Sequence, residues 1–281
     1  MTTSAAGRPP PKITSPEILH VQLRDMLSVV AGIFERREVE YFLCAGTALG
    51  AVRGGDLIPW DFDVDLLVPL TAYPAALGAL RECLPPRYAV KDPAVDSTYD
   101  HLFCRVHLAS THHKYVHVDL FPLGGTFAWK PAQRAQLRVS RRLRRLFYAR
   151  TRLVSSSGSP DVPRVVLATL RLAARALPRR SLLWAFRGVC TLRGPRSPHL
   201  TNIAAGYLER EAMPRRLFER PVRVSISDRS YPCPSPPEEY LERLYGDYAT
   251  PPPAHEQKRL LAFFDSWYLP TLCKVSLDLG P

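Results

Sequence analysis

Three aspartates occupy alternate positions in the segment IPWDFDVD, residues 58–65. Because successive side chains of a β-strand alternate faces, a strand over Asp61–Val68 places Asp61, Asp63 and Asp65 on one face. Carboxylates this close raise one another's pKa unless a cation neutralises them, and carboxylates with substrate phosphate typically hold Mg²⁺ (or Mn²⁺). The spacing therefore predicts a divalent metal site. Asp61 is either a further ligand, an acid that supports the ligands, or an exposed carboxylate at the strand end.

A second predicted strand, Tyr115–Phe121, carries His117 and Asp119 on one face. Its acid can face the first acidic strand, so we predict Asp63, Asp65 and Asp119 as the catalytic and metal-binding residues. Two ions about 4 Å apart at such a site could activate a hydroxyl and stabilise a phosphate leaving group. Asp119 is the predicted general base, although all three acids could instead be ligands. His117 could bind phosphate or tune the base.

A glycine turn precedes the acidic strand and offers groups for phosphate binding. Gly46 lets a phosphate approach the backbone, Thr47 offers a hydroxyl, and Arg53 offers a fork of hydrogen-bond donors. Thr47 is also the predicted N-cap of a short helix that ends at Ala51. Trp60 either stacks on a nucleotide base or packs at the strand entry. The order of glycine turn, Asp-x-Asp pair and third aspartate favours a catalytic site over a solvated strand edge.

Three blocks of the sequence closely resemble the LicD family. They are GTALGAVR with IPWDFDVD in residues 46–65, HVDLFPL in residues 117–123, and EYLERLYGDY with the prolines after it in residues 239–253. The resemblance implies a nucleotidyltransferase fold. It also implies transfer of a phospho-alcohol, such as phosphocholine or ribitol phosphate, from a CDP-activated donor to a sugar hydroxyl, with CMP as the by-product.

The resemblance assigns expected partners and site roles. The implied donor is CDP-choline, CDP-ribitol or a similar compound, and the implied acceptor is a sugar or a lipid-linked glycan. Asp63 and Asp65 match the family's metal-binding pair, and Asp119 matches its third acid. Gly46-Thr47 matches its phosphate turn, and Arg105 matches a basic position that could neutralise phosphate charge.

The segments around the acidic strands alternate between helix and strand patterns. Helices are predicted over Glu17–Arg36, Pro74–Leu84 and Pro237–Tyr245. Further strands are predicted over Tyr41–Ala45, Leu102–Leu108 and Val222–Ile226. Gly246 is expected to cap the last helix, and the three prolines at 251–253 are expected to end regular structure. This interleaving predicts an α/β (α+β) fold, a nucleotidyltransferase-like mixed sheet flanked by helices.

Basic charge is concentrated in one segment. Residues 134–196 contain sixteen arginines and a single acid, Asp161, in a chain whose formal net charge is +12. Such a block implies an anionic partner. We predict an arginine-rich helical annex with a flexible loop at residues 155–160. Its outer face is either simply solvated, a peripheral membrane surface, or an electrostatic guide for anionic substrate. Apolar residues interleave with the arginines, among them Leu143, Leu146, Phe147, Leu182, Leu183, Trp184 and Phe186.

The predicted organisation has four parts. Residues 1–14 form a flexible tail, 15–130 the catalytic core, 131–200 the basic annex, and 201–281 a C-terminal part that packs on the core. The sequence shows neither a signal-peptide pattern nor an apolar run long enough to span a membrane, so we expect a cytoplasmic protein, either free or peripheral at the inner membrane face. The scattered cysteines predict neither a zinc site nor disulfides.

Two other functions stay open at this point. The same fold could transfer a nucleotide to RNA or protein, which the basic annex would suit electrostatically. No RNA-binding module is recognisable, so nucleic acid is not the favoured partner. A catalytically silent protein could instead hold glycan or membrane on its basic surface, but it would have no need for three mutually repelling carboxylates.

Overall fold

The computed structural model describes residues 13–151, 172, 176–204 and 208–268, which form an α/β fold with helices around a mixed sheet. The helices are α1 Pro16–Arg36, α2 Ala45–Gly54, α3 Tyr73–Cys83, α4 Lys130–Thr151, α5 Arg179–Thr191, α6 Arg216–Glu219, α7 Pro237–Tyr245 and α8 Ala254–Phe263. The strands are β1 Phe42–Leu43, β2 Val64–Pro69, β3 Tyr88–Lys91, β4 Cys104–Leu108, β5 His117–Thr126, β6 His199–Asn202, β7 Ala212–Pro214, β8 Val222–Ile226 and β9 Arg229–Cys233. A 3₁₀-helix covers Leu208–Glu211, and a π-helical turn covers Phe264–Tyr268.

The main sheet is built around β5. Its strand order is β1-β2-β5-β4-β3, with β2 parallel and β4 antiparallel to β5. The register pairs Asp65 of β2 with Asp119 of β5, and Asp119 with Arg105 of β4. The C-terminal half of β5 pairs with β6, which pairs with β7, while β8 and β9 form a separate hairpin. Three strands that are distant in sequence thus bring two acids and one arginine side by side.

Helix α1 confirms the helix predicted from the spacing of its apolar residues. The side-chain oxygen of Ser15 accepts a hydrogen bond from the Ile18 N–H at 3.4 Å, which satisfies one of the unpaired donors of the first turn. Leu19, Leu23 and Met26 are fully buried on one face, which packs against β5 and α3. Each such side chain contributes about 1.5–3 kcal/mol of transfer free energy to the core.

The strand that follows the glycine turn is shorter than predicted. It begins at Val64 rather than at Asp61. The reason is a turn at Pro59, in which the Asp61 N–H donates to the Ile58 carbonyl at 2.9 Å. Asp61 and Asp63 therefore lie in the entry to β2, where strict alternation along a strand does not set their direction.

Helix α2 and the segment after the three prolines also differ from prediction. Helix α2 begins at Ala45 and runs to Gly54, so Cys44 rather than Thr47 is its N-cap residue. Regular structure resumes after the prolines, with Pro253 as the N-cap residue of α8. Proline is compatible with a helix start because the first turn needs no N–H partner there. The predicted helix before the prolines is confirmed as α7.

Helices α4 and α5 are the described part of the arginine-rich annex, and the loop predicted at residues 155–160 lies outside the described residues. The two helices share a second apolar core with the segment that leads into β4, formed by Leu102, Phe103, Phe147, Leu182, Leu183 and Phe186. Leu143 and Leu146 pack against this core, whereas Trp184 is 78% exposed. The interleaved apolar residues are therefore used mainly for packing. None of the helices in the described part of the chain is both long and apolar enough to cross a membrane.

Gly50 sets how closely the loop ahead of the acidic strand approaches α2. A methyl group at Gly50 would lie 2.5 Å from the Asp56 carbonyl oxygen and 2.9 Å from the Ile58 nitrogen, both of which are backbone atoms. We expect Gly50→Ala to lower the free energy of unfolding by about 1–3 kcal/mol, because the backbone must move to admit it. Urea unfolding measures this change.

Gly78, inside α3, provides the matched control. A methyl group there meets nothing within 4 Å, so Gly78→Ala should leave stability unchanged or raise it by about 0.5–1 kcal/mol through the better helix propensity of alanine. Equal stability of the two variants would contradict the close approach at Gly50.

Candidate functional site

The centre of the site is a buried ion pair between neighbouring strands. Arg105 Nε donates to Asp119 Oδ1 at 2.5 Å and Arg105 Nη2 donates to Oδ2 at 2.8 Å, while Nη1 donates to the His113 carbonyl at 2.9 Å. Each of the two side chains is only 6% exposed. Three donor nitrogens of Arg105 are thus engaged with Asp119 and the backbone, and its role toward a phosphate stays a prediction.

His117 lies two residues before Asp119 and faces the same side of β5. Its Nδ1 is 3.0 Å from the Tyr115 carbonyl, which can only accept, so Nδ1 carries the hydrogen and Nε2 of the neutral ring presents a lone pair. Nε2 is buried without a hydrogen-bond partner, 3.6 Å from Asp63 Oδ2 and 3.9 Å from Asp119 Oδ1. Ligand atoms of Asp63, His117 and Asp119 all lie within 4.8 Å of one another. This triad is compatible with a divalent metal ion.

Asp61 joins the triad through Asp63. Burial, followed by the charge of Asp63 and a hydrogen bond to it, raises the pKa of Asp61 well above its ordinary value. Burial also acts to raise the pKa of Asp63, but the interaction with His117, a hydrogen bond with Asp61 and the charge of Arg105 outweigh it, so that pKa is lowered. Of these two carboxyl groups, Asp61 is therefore the one that takes up a proton first. A side chain at Gly46 would collide with the Asp61 carboxylate, so Asp61 fills the space that we predicted for an approaching phosphate.

Asp65 completes the acidic cluster on β2. Its backbone N–H donates to Thr47 Oγ1 at 2.8 Å, so the threonine of the glycine turn fixes the strand that carries the acids. Burial, followed by repulsion from Asp63 and Asp119, raises the pKa of Asp65 well above its ordinary value. Within the described ranges no cationic side chain pairs with its carboxylate, so the cluster can accept further positive charge.

Asp61 and Asp63 line a cavity of about 290 Å³ together with Trp60, Lys114 and His117. Trp60 thus lies close to the acids, and its base-stacking role stays a prediction. Helix α8, which the sequence did not predict, contributes Leu260 and Phe263 to the same cavity. Arg53 is not brought into this group. It lines a different cavity together with His20, Asp56 and Leu261.

Glu211 is a second feature of this region that the sequence did not reveal. It ends the 3₁₀-helix, is 5% exposed, and its charge is one of those that raise the pKa of Asp65. Burial raises the pKa of Glu211 itself to about 8, against the opposing charge of Arg144. No motif surrounds it in the sequence, and only the folding of the segment before β7 brings it near the cluster.

Comparison with known proteins agrees with this geometry. Residues 38–140, which include every member of the triad, match the family described as LicD/FKTN/FKRP, nucleotidyltransferase domain. Two curated relatives, ribitol 5-phosphate transferase FKRP of Homo sapiens and of Mus musculus, are each 36% identical to the chain over 107 residues. This match assigns residues 38–140 to the LicD family, and we call this part of the chain the LicD domain. The matched part covers 36% of this chain and 20% of each relative, so the chain spans about a fifth of their length.

The Arg105–Asp119 pair should be essential for the stability of the LicD domain. We expect Arg105→Met to lower the free energy of unfolding by about 3–5 kcal/mol, because it leaves the buried Asp119 carboxylate without its cation. The double variant Arg105→Met/Asp119→Asn should recover most of this loss, since it removes both charges. Chemical denaturation of the two single variants and the double variant forms the test, and additive losses would contradict the pairing.

Glu211 should make the free energy of unfolding depend on pH. The folded protein holds a proton on Glu211 from its ordinary pKa of 4.5 up to about 8, whereas the unfolded chain does not. This group therefore makes the free energy of unfolding fall as pH rises through that window, by up to about 1.4 kcal/mol per pH unit. Glu211→Gln should remove this slope in denaturation measured across the window. Glu209→Gln, an exposed acid on the same turn, should keep the slope of the unmodified protein. Retention of that slope by Glu211→Gln would show that Glu211 is not held protonated.

Proposed function

We propose that the LicD domain transfers a phospho-alcohol from a CDP-activated donor to a sugar hydroxyl of a glycan or glycolipid and releases CMP. The observation that carries the proposal is the convergence at one point of Asp63, from the entry to β2, with His117 and Asp119 of β5. The activity for which both relatives are named, ribitol 5-phosphate transfer, supports the phospho-alcohol part. Ribitol phosphate and phosphocholine are the alcohols that we put forward first.

The triad fits a divalent cation, which we propose to be Mg²⁺ or Mn²⁺. The carboxylates of Asp63 and Asp119 suit either ion, and the imidazole of His117 suits Mn²⁺ better because Mg²⁺ strongly prefers oxygen. A buried nitrogen without a partner, as at His117 Nε2, is unusual and would be satisfied by an ion. When bound, such an ion supplies charge neutralisation for the phosphates and favours deprotonation of a nearby hydroxyl.

The proposed reaction exchanges one phosphorus–oxygen bond for another. The acceptor oxygen bonds to the phosphorus that bears the alcohol, and the bond from that phosphorus to the CMP oxygen breaks. The hydroxyl proton must pass to a carboxylate. Asp119 is poorly suited, because both of its oxygens already accept hydrogen bonds from Arg105. We therefore assign the proton to Asp65 and treat Asp119 as a ligand, which revises our prediction of Asp119 as the base.

The glycine turn and the cavity mouth would position the donor. Thr47 Oγ1 accepts a hydrogen bond from the Asp65 N–H, so its own hydrogen can still donate to a phosphate oxygen. Lys114 lines the mouth of the cavity beside Trp60, where an ammonium and an aromatic ring could hold a nucleotide. Arg53 has no part in this arrangement, since it lines a separate cavity.

Replacing one acid of the triad should impair catalysis while the protein still folds. We expect Asp63→Asn to lower CMP release from CDP-ribitol or CDP-choline by more than the roughly 100-fold that changes around metal ligands cost. The rise in melting temperature that Mn²⁺ or Mg²⁺ produces in the unmodified protein should disappear in the same variant. Asp228→Asn, which alters an exposed acid between β8 and β9, is the matched control and should keep both properties.

The products distinguish the proposed transfer from the two alternatives. CMP formed from a CDP-alcohol supports the proposal, whereas pyrophosphate formed from CTP or ATP would assign the domain to nucleotidyl transfer. A protein that binds neither ion nor CDP-alcohol, with Asp63→Asn indistinguishable from the unmodified chain, would instead be a silent binding protein.

A further inference from the structure

The outer face of α4 carries a row of arginines, which we call the basic stripe: Arg138, Arg141, Arg142 and Arg145. Their spacing of three and four residues places them on one side of the helix, and all four are exposed. Among the described residues no carboxylate pairs with any of them. The stripe is therefore a local excess of positive charge that the described part of the chain does not neutralise.

Several arginines elsewhere in the described part of the chain are paired with acids. Arg216 and Arg243 both pair with Glu239, at 2.5 Å and 2.9 Å. Arg223 and Arg229 share Glu35 in the same way. A face that is merely solvated would be expected to contain such pairs as well, since opposite charges spaced along a helix stabilise it. Among the described residues the stripe has no such pairs, which favours an anionic partner.

Helix α5, which packs on α4, presents an aromatic side chain among further arginines. Trp184 is 78% exposed, and its neighbours on the same side of the helix are Arg180 and Arg187, both exposed. Leu177 just before α5 is 43% exposed and Leu192 just after it is 60% exposed. The opposite side of α5 packs into the second apolar core, so the exposed side is not needed for folding.

We propose that the outer faces of α4 and α5 form a docking surface for an anionic lipid bilayer, with the basic stripe over the headgroups and Trp184 inserted among them. Clusters of arginine attract anionic membranes, and tryptophan flanked by basic residues prefers the membrane–water interface. The surface supplies both interactions on adjoining helices. This inference does not depend on the proposed transfer reaction.

Other polyanions could match the charge but not the whole surface. Nucleic acid or an acidic glycan would satisfy the basic stripe, and either could stack on an indole ring. Exposed leucines gain nothing from phosphate or sugar, whereas burial in the acyl region stabilises them. Leu177 and Leu192 lie next to the two ends of the helix that carries Trp184, so the apolar part of the surface favours lipid.

Vesicle sedimentation with the full chain tests the proposal. The protein should bind vesicles of equal parts phosphatidylglycerol and phosphatidylcholine and should not bind phosphatidylcholine alone. Arg138→Gln/Arg141→Gln/Arg145→Gln should weaken binding by roughly 100-fold, since each basic residue at an anionic surface contributes about a factor of five. Trp184→Ala should weaken it by about tenfold through loss of the inserted ring.

A second triple variant controls for net charge. Arg216→Gln/Arg243→Gln/Arg259→Gln removes the same charge from exposed positions on α6, α7 and α8, and should bind the vesicles as the unmodified protein does. Thermal unfolding of each variant verifies that it is folded. An equal loss in the two triple variants would overturn the proposal, because binding would then follow total charge. Binding to heparin or single-stranded RNA without binding to the anionic vesicles would overturn it as well.

Discussion

The bidentate pair between Arg105 and Asp119 is the interaction on which the rest of the site depends. Four carboxylates, from Asp61, Asp63, Asp65 and Asp119, meet in a small region, and Arg105 is a buried cation in direct contact with Asp119. Removing charges from water is costly, and only close pairing with satisfied hydrogen bonds offsets that cost. The guanidinium meets this condition, because its third nitrogen also donates, to the His113 carbonyl. The antiparallel register of β4 on β5 makes the contact, so the sheet itself neutralises one of the four acids.

The remaining acids are held together by backbone structure rather than by attraction. The parallel pairing of β2 with β5 places Asp65 beside Asp119, and the Asp65 N–H is anchored on the Thr47 hydroxyl. The pKa of Asp61 is raised and that of Asp63 is lowered, so Asp61 is the first of the two to take up a proton, which would relieve part of the repulsion. The resulting cluster is stable enough to fold and still deficient in positive charge. A site of this kind binds a cation with little rearrangement, because the ligands are fixed before the ion arrives.

The sequence predicts the parts of this site that depend on local pattern and fails where distant contacts decide. Asp65 and Asp119 on neighbouring strands and α7 with Gly246 follow from spacing and turn chemistry, and the structure contains them, whereas Asp61 and Asp63 lie before β2. The partner of Arg105 depends on strand register, which no local pattern specifies. Arg53 was expected beside the phosphate turn, yet a helix rises about 1.5 Å per residue, so its position at the far end of α2 carries it away from Thr47. Glu211 reaches the cluster only through the tertiary fold.

The inner and outer faces of α4 have different roles. On its inner face, Ser140 Oγ donates to the Ile203 carbonyl at 2.6 Å, and Arg144 donates to the Ala204 carbonyl. These bonds hold the segment that follows β6 against α4. Glu211 follows a few residues later in the chain. Its charge is opposite to that of Arg144 and is one of those that raise the pKa of Asp65. The inner face therefore takes part in building the acidic cluster, while the unpaired arginines of the outer face make no contact with it. Because the two roles use different sides of one helix, each can be altered without the other.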